Sequence, residues 1–278
     1  MYAQYALMDG RFKINLKILY YNMIYFITYA THSERLYDIL IESAKRNDIN
    51  LHVIGMGDMW IGWKNRAQKI LDHLKTLDRN MIICHIDGFD SVILGNEQEI
   101  YNKFITNYKN NKIVFSSDET NNIFIRYFKL KKFTLCRNNF ISAGLYIGYN
   151  YYIQKLLQEF IDSRETDDQR FFSMLCDNNN DIGIDINNII FYNYKYLENN
   201  GYYKDNRLYV NNINPSIISA PGGVNITNIL KNFGYNYTKE NNTTIEYFAR
   251  NFMGTIKYFY VEIFIITLLL LCLFKLMK

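Results

Sequence analysis

The sequence predicts an α/β fold built on a mostly parallel sheet. Two observations carry this. Apolar runs short enough to be buried strands alternate with segments whose apolar residues recur at helical spacing, and three such strand–helix units precede residue 117. The run at 81–86 is apolar throughout, as expected of a strand covered on both faces.

The first strand spans 23–30. Thr31-His32-Ser33-Glu34 then has the form of a capping box, and Leu36, Ile39, Leu40 and Ala44 give the following helix one apolar face. A second strand at 51–55 leads to a helix at 66–77, with Ile70, Leu71, Leu74 and Leu77 on one side. The third strand (81–86), a helix at 96–107 and a fourth strand at 112–116 complete the regular part. Beyond residue 120 the order loosens. A strand is expected at 140–148, helices at 151–161 and 166–176, short strands at 189–191 and 216–219, and a short helix at 225–232. The polar, Asn- and Thr-rich stretch to residue 257 reads as a stalk.

Composition sets limits. The chain has 278 residues and a net charge of +4, with no basic run of the kind that binds nucleic acid, so no nucleic-acid partner is expected. Of the four cysteines, Cys84 and Cys272 lie in apolar runs and suit inert buried thiols; no Cys-x-x-Cys spacing marks a zinc site or redox pair. Lys13 and Lys17 interrupt the apolar stretch near the start, which lacks the layout of a secretory signal. The run at 258–274 carries one charge, Glu262, and is closed by Lys275 and Lys278. A spanning helix needs roughly 17–25 apolar residues, so the run is expected to be a single C-terminal membrane anchor, with the catalytic body on its N-terminal side.

Four constellations could carry chemistry. Asp87-Gly88-Phe89-Asp90 directly follows the buried third strand, where open α/β sheets bind ligands. Its two carboxylates suit a hard divalent cation, and Asp-Gly equally suits a tight turn. Gly55-Met56-Gly57-Asp58-Met59-Trp60 lets backbone approach a nucleotide with an indole to cover it, or is a loop with a surface tryptophan. Asp167-Asp168-Gln169 opens a helix, where acidic residues serve as caps as readily as catalysts. Pro221-Gly222-Gly223-Val224-Asn225 offers backbone N–H groups to phosphate, or is a structural turn.

In order along the chain, these segments resemble the glycosyltransferase domain of procollagen lysyl hydroxylases and the related collagen glycosyltransferases. Thr28-Tyr29-Ala30-Thr31 matches the Thr-rich turn after the family's first strand, and Ile54 to Trp60 matches Leu-Gly-x-Gly-x-x-Trp. Gln68-Lys69 matches the pair in the next helix, and Asp87-Gly88-Phe89-Asp90 matches Asp-x-Tyr-Asp with Phe for Tyr. Phe115-Ser116-Ser117-Asp118 stands for Phe-Ser-x-Glu, and Phe140 to Gly148 for Phe-Leu-Asn-Ser-Gly-Gly-Phe-Ile-Gly. Asp-Asp-Gln-x-Phe is intact from Asp167 to Phe171, and Ile184-Asp185 with Ile190-Phe191-Tyr192-Asn193 closes the series. The likeness covers residues 23–235, between an N-terminal extension (1–22) and the stalk (236–257).

The resemblance implies a GT-A-type, Rossmann-like mixed sheet, which the C-terminal transmembrane helix would follow. It implies transfer of a hexose, glucose or galactose, from a UDP-sugar to a hydroxyl acceptor of hydroxylysine type, with Mn²⁺ or a similar cation. Asp87 and Asp90 would hold the metal. Thr31, Trp60, Lys69, Asp87 and Phe89 would surround the nucleotide, and Gly222 and Asn225 the diphosphate. Asp167 and Asp168 would face the donor sugar and acceptor. Two departures stand out. Ser219 occupies the place of the family's metal-binding His, and Asn225 that of its Lys; Ser142-Ala143-Gly144 also replaces Asn-Ser-Gly. They leave a second reading open, a catalytically silent, membrane-tethered binding protein. A nucleotidyltransferase using the same metal–diphosphate logic is a third.

Overall fold

A computed structural model describes residues 23–195, 201–205 and 207–237, together with positions 259, 260, 264 and 267. Its elements run β1 (Ile24–Tyr29), α1 (Tyr37–Arg46), β2 (Leu51–Ile54), α2 (Trp63–Leu74), β3 (Ile82–Ile86), β4 (Ser91–Ile93), α3 (Glu97–Asn107), β5 (Ile113–Ser117), α4 (Ile123–Lys132), β6 (Ile141–Tyr149), α5 (Asn150–Asp162), α6 (Asp168–Asp177), β7 (Ile182–Asp185), β8 (Phe191–Asn193), β9 (Gly201–Lys204), β10 (Arg207–Val210), β11 (Ile217–Ser219) and α7 (Thr227–Asn232).

The main sheet has the order β2-β1-β3-β6-β5-β7. β1 pairs in parallel with β2 and β3, and β5 with β7, but β6 runs antiparallel to both its neighbours. The sheet is therefore mixed, as the resemblance implies, and mostly parallel, as the strand–helix order predicts: β6 alone runs against the other five strands. β6 follows α4, a helix that was not predicted, and enters the sheet from the opposite end.

Side chains alternate across the sheet with period two. From β1 and β3, Ile27, Tyr29 and Ile83 face a core shared with Ile70, Leu74, Leu157 and Phe172 of α2, α5 and α6. Ile24, Phe26, Cys84 and Ile86 face the opposite core, with Leu40, Ile100 and Phe104 of α1 and α3. A second sheet, β4-β11-β8, packs with α7 around Val92, Ile218 and Leu230. Asp185 joins the two sheets. Its carboxylate accepts from the N–H groups of Ile189, Ile190 and Phe191, each at 2.7 Å, and from Tyr108 Oη at 2.5 Å. β8 is thereby fixed beside β5, where Asn193 Nδ2 donates to Ser116 Oγ and Ser117 O, both at 2.9 Å.

Other differences from expectation have local causes. The capping box does not form: α1 begins at Tyr37, with no side-chain cap. Thr31 and Glu34 instead bond His32, and Leu36 N–H donates to Phe89 O, so 31–36 is a loop braced against the Asp87–Asp90 segment. Cys136 and Cys176 form a disulfide with Cα atoms 5.4 Å apart, across a sequence separation of 40 that no local pattern reveals. It ties the segment after α4 to the end of α6. Cys84 is buried, and burial pushes its thiol well above the usual range, as expected of an inert thiol. Among the described residues no helix is long and apolar enough to cross a membrane. The extension 1–22 lies outside the described residues, and so, apart from isolated positions, do the expected stalk, the anchor at 258–274 and Cys272.

Candidate active site

Three chain segments from distant parts of the sequence meet at the carboxyl end of β3. The first is the turn after β3, the second the start of α6, and the third the end of β11. Asp87, Asp90, Asp167, Asp168 and Ser219 line one cleft of about 200 Å³, with Arg66, Lys132, Ser142, Gly144 and Pro221 on its walls. The register of β5 against β6 shifts between Phe115 and Ser116, so Ala143 and Gly144 leave the ladder and face the cleft. Gly144 leaves room for Asp87 there, because a Cβ would stand 3.1 Å from Asp87 Oδ2.

The two carboxylates after β3 differ. Asp87 is half-buried, and its Oδ1 accepts from Phe89 N–H at 3.0 Å, the turn expected of Asp-Gly. Asp90 is buried, and its Oδ1 accepts from Ser219 Oγ at 2.8 Å and from Ser91 Oγ at 3.4 Å. Burial first, and the charge of Asp87 second, push the Asp90 carboxyl up to about 7, against the pull of Arg35 and the two hydroxyls. A cation between them would remove that repulsion.

Asp167 caps α6, its Oδ1 accepting from Arg170 N–H at 3.0 Å. Asp168 is buried, with Oδ1 on Gln169 N–H at 2.8 Å and Oδ2 ion-paired with Arg66. Burial raises the Asp168 carboxyl above the usual carboxylate range and Arg66 pulls it back; Asp168 in turn holds the guanidinium charged against the cost of burial. Trp63 covers Arg66, the guanidinium carbon 4.6 Å from its ring centroid.

The remaining sequence candidates, Thr31, Trp60, Lys69, Phe89, Gly222 and Asn225, are not among the residues that line this cleft. Thr31 O accepts from Gly57 N–H at 2.9 Å, which folds the Gly55–Trp60 loop onto the end of β1. Lys69 pairs with Asp58 of that loop at 3.2 Å. Trp60 is exposed and meets Trp63 edge-on at 4.7 Å, and Phe89 lies 5.5 Å from the His32 ring. Gly222 takes φ 67°, and the Asn225 side chain accepts from Thr227 N–H at 2.9 Å.

The sequence reading missed Arg66, Trp63, Lys132 and Phe133 as cleft residues. For Arg66 a signal existed: it precedes Ile70 and Leu74 by one and two helical turns, on the apolar face, where a guanidinium needs a buried partner. Among the described residues no group of three or more His, Cys, Asp or Glu side chains is placed to hold a metal, so Asp87 and Asp90 stand as a pair supplemented by the Ser219 hydroxyl.

An acidic cleft at the carboxyl end of the central strand lies where open, Rossmann-like α/β sheets bind their ligands. Residues 21–245 match the PLOD GT domain family, and the chain belongs to that family. It is 26% identical over 163 residues to a multifunctional procollagen lysine hydroxylase and glycosyltransferase of Caenorhabditis elegans, covering 54% of this chain and 22% of that protein. It is 25% identical over 158 residues to procollagen-lysine,2-oxoglutarate 5-dioxygenase 2 of Homo sapiens, covering 53% and 21%. The chain thus matches about a fifth of the length of these relatives. The fold aligns with a glycosyltransferase involved in glycosylation of the major capsid of PBCV-1, at a TM-score of 0.42 and 9% identity, over 61% of this chain and 84% of that one.

Proposed function

We propose that this glycosyltransferase-like domain is an active, cation-dependent transferase that moves a hexose from a UDP-sugar to a hydroxyl acceptor, of the hydroxylysine type by analogy with its relatives. The observation that carries the reading is the convergence of two carboxylate pairs, Asp87 with Asp90 and Asp167 with Asp168, on one cleft. Asp87 and Asp90 fit a hard divalent cation such as Mn²⁺, because burial and the charge of Asp87 raise the Asp90 carboxyl, and a cation between the two would offset that repulsion. When bound, the cation would neutralise the departing diphosphate.

The chain's own residues do the rest. Thr31, Trp60, Lys69 and Phe89 would hold the nucleotide, with Asp87 reaching the ribose. Gly222, Asn225 and the Lys132 ammonium would face the diphosphate, with Lys132 supplying from α4 the charge that Asn225 lacks. Asp168, fixed by Arg66, would stabilise positive charge on the sugar ring, and the less buried Asp167 would take the acceptor proton in an inverting course. The run at 258–274 would anchor the chain in a membrane.

The silent-binder reading draws on the two-carboxylate donor set and on the Asn225 side chain, already committed to Thr227 N–H. One experiment separates the two. UDP release from UDP-glucose and UDP-galactose is measured for the full chain with Mn²⁺ and with chelator. Release that needs the cation and vanishes in Asp87→Ala supports the enzyme. No release, with no UDP binding by calorimetry, refutes it.

A further inference from the structure

Helix α4 has an unusual solvent face. Among its described side chains, the exposed ones are Ile123, Tyr127 and Leu130, at 75%, 45% and 47%. At about 100° per residue these positions fall within one narrow stripe. On α1, by contrast, the exposed residues are Asp38, Glu42, Lys45 and Arg46, all charged. Lys131 flanks the apolar stripe of α4 on one side, and on the other Arg126 is turned to the body by its ion pair with Glu119. The inward side is held to the body by the Lys129–Asp118 ion pair at 2.6 Å. A basic, amphipathic helix with its apolar face outward is the form that lies in a membrane interface.

A second, independent observation points the same way. Phe259, the second residue of the apolar run at 258–274, is 7% exposed and packs on this helix, 5.0 Å from the Phe128 ring and 6.0 Å from the Tyr127 ring. The adjacent Tyr260 is exposed. The run therefore begins against the flank of α4, and a bilayer that took up the run would lie within side-chain reach of the stripe.

We propose that α4 is a membrane-interface helix, with Ile123, Tyr127 and Leu130 inserted among lipid chains and Lys131 at the headgroups. The proposal rests on the anchoring part of the reading above. It adds a geometric consequence: Lys132 and Phe133 at the end of α4 line the catalytic cleft, so the cleft opens beside the bilayer and takes its acceptor hydroxyl from a membrane-proximal molecule.

The test uses the full chain carrying Cys272→Ser, assembled in nanodiscs of phosphatidylcholine and phosphatidylserine. An NBD fluorophore is attached at Leu130→Cys, and in a control at Lys155→Cys on the exposed side of α5. The expected result is a blue-shifted Leu130 probe that is quenched by doxyl-labelled lipid, since the apolar face of an interfacial helix reaches the acyl-chain boundary, while the Lys155 probe is unaffected. A Leu130 probe that stays in water, in a chain that floats with liposomes, overturns the interface helix and leaves the anchor standing. A blue shift without lipid quenching shows a protein covering the stripe and also overturns it. A chain that does not float overturns both the anchor and the inference.

Discussion

Removing either member of the Arg66–Asp168 pair should be costly, because each is the buried partner of the other. Both side chains are about one-tenth exposed, at 11% and 9%. Asp168 has its second oxygen on Gln169 N–H, and among the described residues Arg66 is the one charged partner of that carboxylate. Breaking a buried pair from one side costs about 3–5 kcal/mol, on the order of 10 °C in Tm for a domain of this size. We expect that loss in Arg66→Met and again in Asp168→Asn. The double variant should lose much less than the two losses together, with a coupling of about 2 kcal/mol. Urea denaturation followed by far-UV circular dichroism reads all four proteins without relying on Trp63, whose ring the substitution uncovers. Single variants within about 1 kcal/mol of the parent, or losses adding to within about 0.5 kcal/mol, would refute the claim that the pair organises the cleft.

Asp90 makes stability depend on pH with a definite sign. Its folded carboxyl holds a proton up to about 7, whereas the unfolded chain releases it near the ordinary value of 3.8. The stabilising contribution is complete below the unfolded value and is lost as pH rises through about 7, at most about 4 kcal/mol. Urea midpoints of the cation-free protein should fall over that window, and the fall should be absent in Asp90→Asn. Gly55→Ala should destabilise by about 1–3 kcal/mol, since φ is +86° and the added Cβ would stand 2.5 Å from the Tyr29 ring. Calorimetry of that variant beside Gly57→Ala, where φ is +84° with open space, isolates the collision from the backbone strain. Cys136→Ser opens a loop of separation 40 and should cost up to about 4 kcal/mol. An unchanged denaturation midpoint in dithiothreitol would show that the bridge contributes nothing.

What the sequence revealed and what it concealed divide along a physical line. Strands buried on both faces announce themselves, and β1, β3 and β5 were legible to within a residue or so because nothing but apolar packing decides them. The antiparallel entry of β6 was not legible, since strand direction is set by the connection through α4, whose mixed Ile, Arg, Tyr and Lys content gives no inward apolar face to detect. The short strand β4 was missed because three residues carry no periodicity. In the site, the motif order brought out the four carboxylates that the fold gathers. Arg66 and Lys132 lie outside those motifs and enter through tertiary contact alone. Asp185 was matched as part of a motif, and its contacts show a clamp between sheets rather than a cleft residue.

The substitution of Ser219 for the family's metal-binding histidine bears on whether the cleft has decayed. A decayed site would be expected to shed its costs, and here the costs persist. Asp90 is buried beside Asp87 at the expense of stability, an arrangement that a neutral residue would relieve at once. Ser219 does not stand idle in the vacated place, since its hydroxyl donates to Asp90 Oδ1 at 2.8 Å and orients that carboxylate. Two carboxylates with a hydroxyl make an all-oxygen donor set. Such a set suits Mg²⁺ or Mn²⁺, which keep several water or phosphate ligands, and disfavours the imidazole-seeking Zn²⁺. On the proposed reading, the change of ligand would favour a harder cation whose coordination the substrate's diphosphate completes. In such a site, cation and nucleotide would each bind more tightly in the presence of the other.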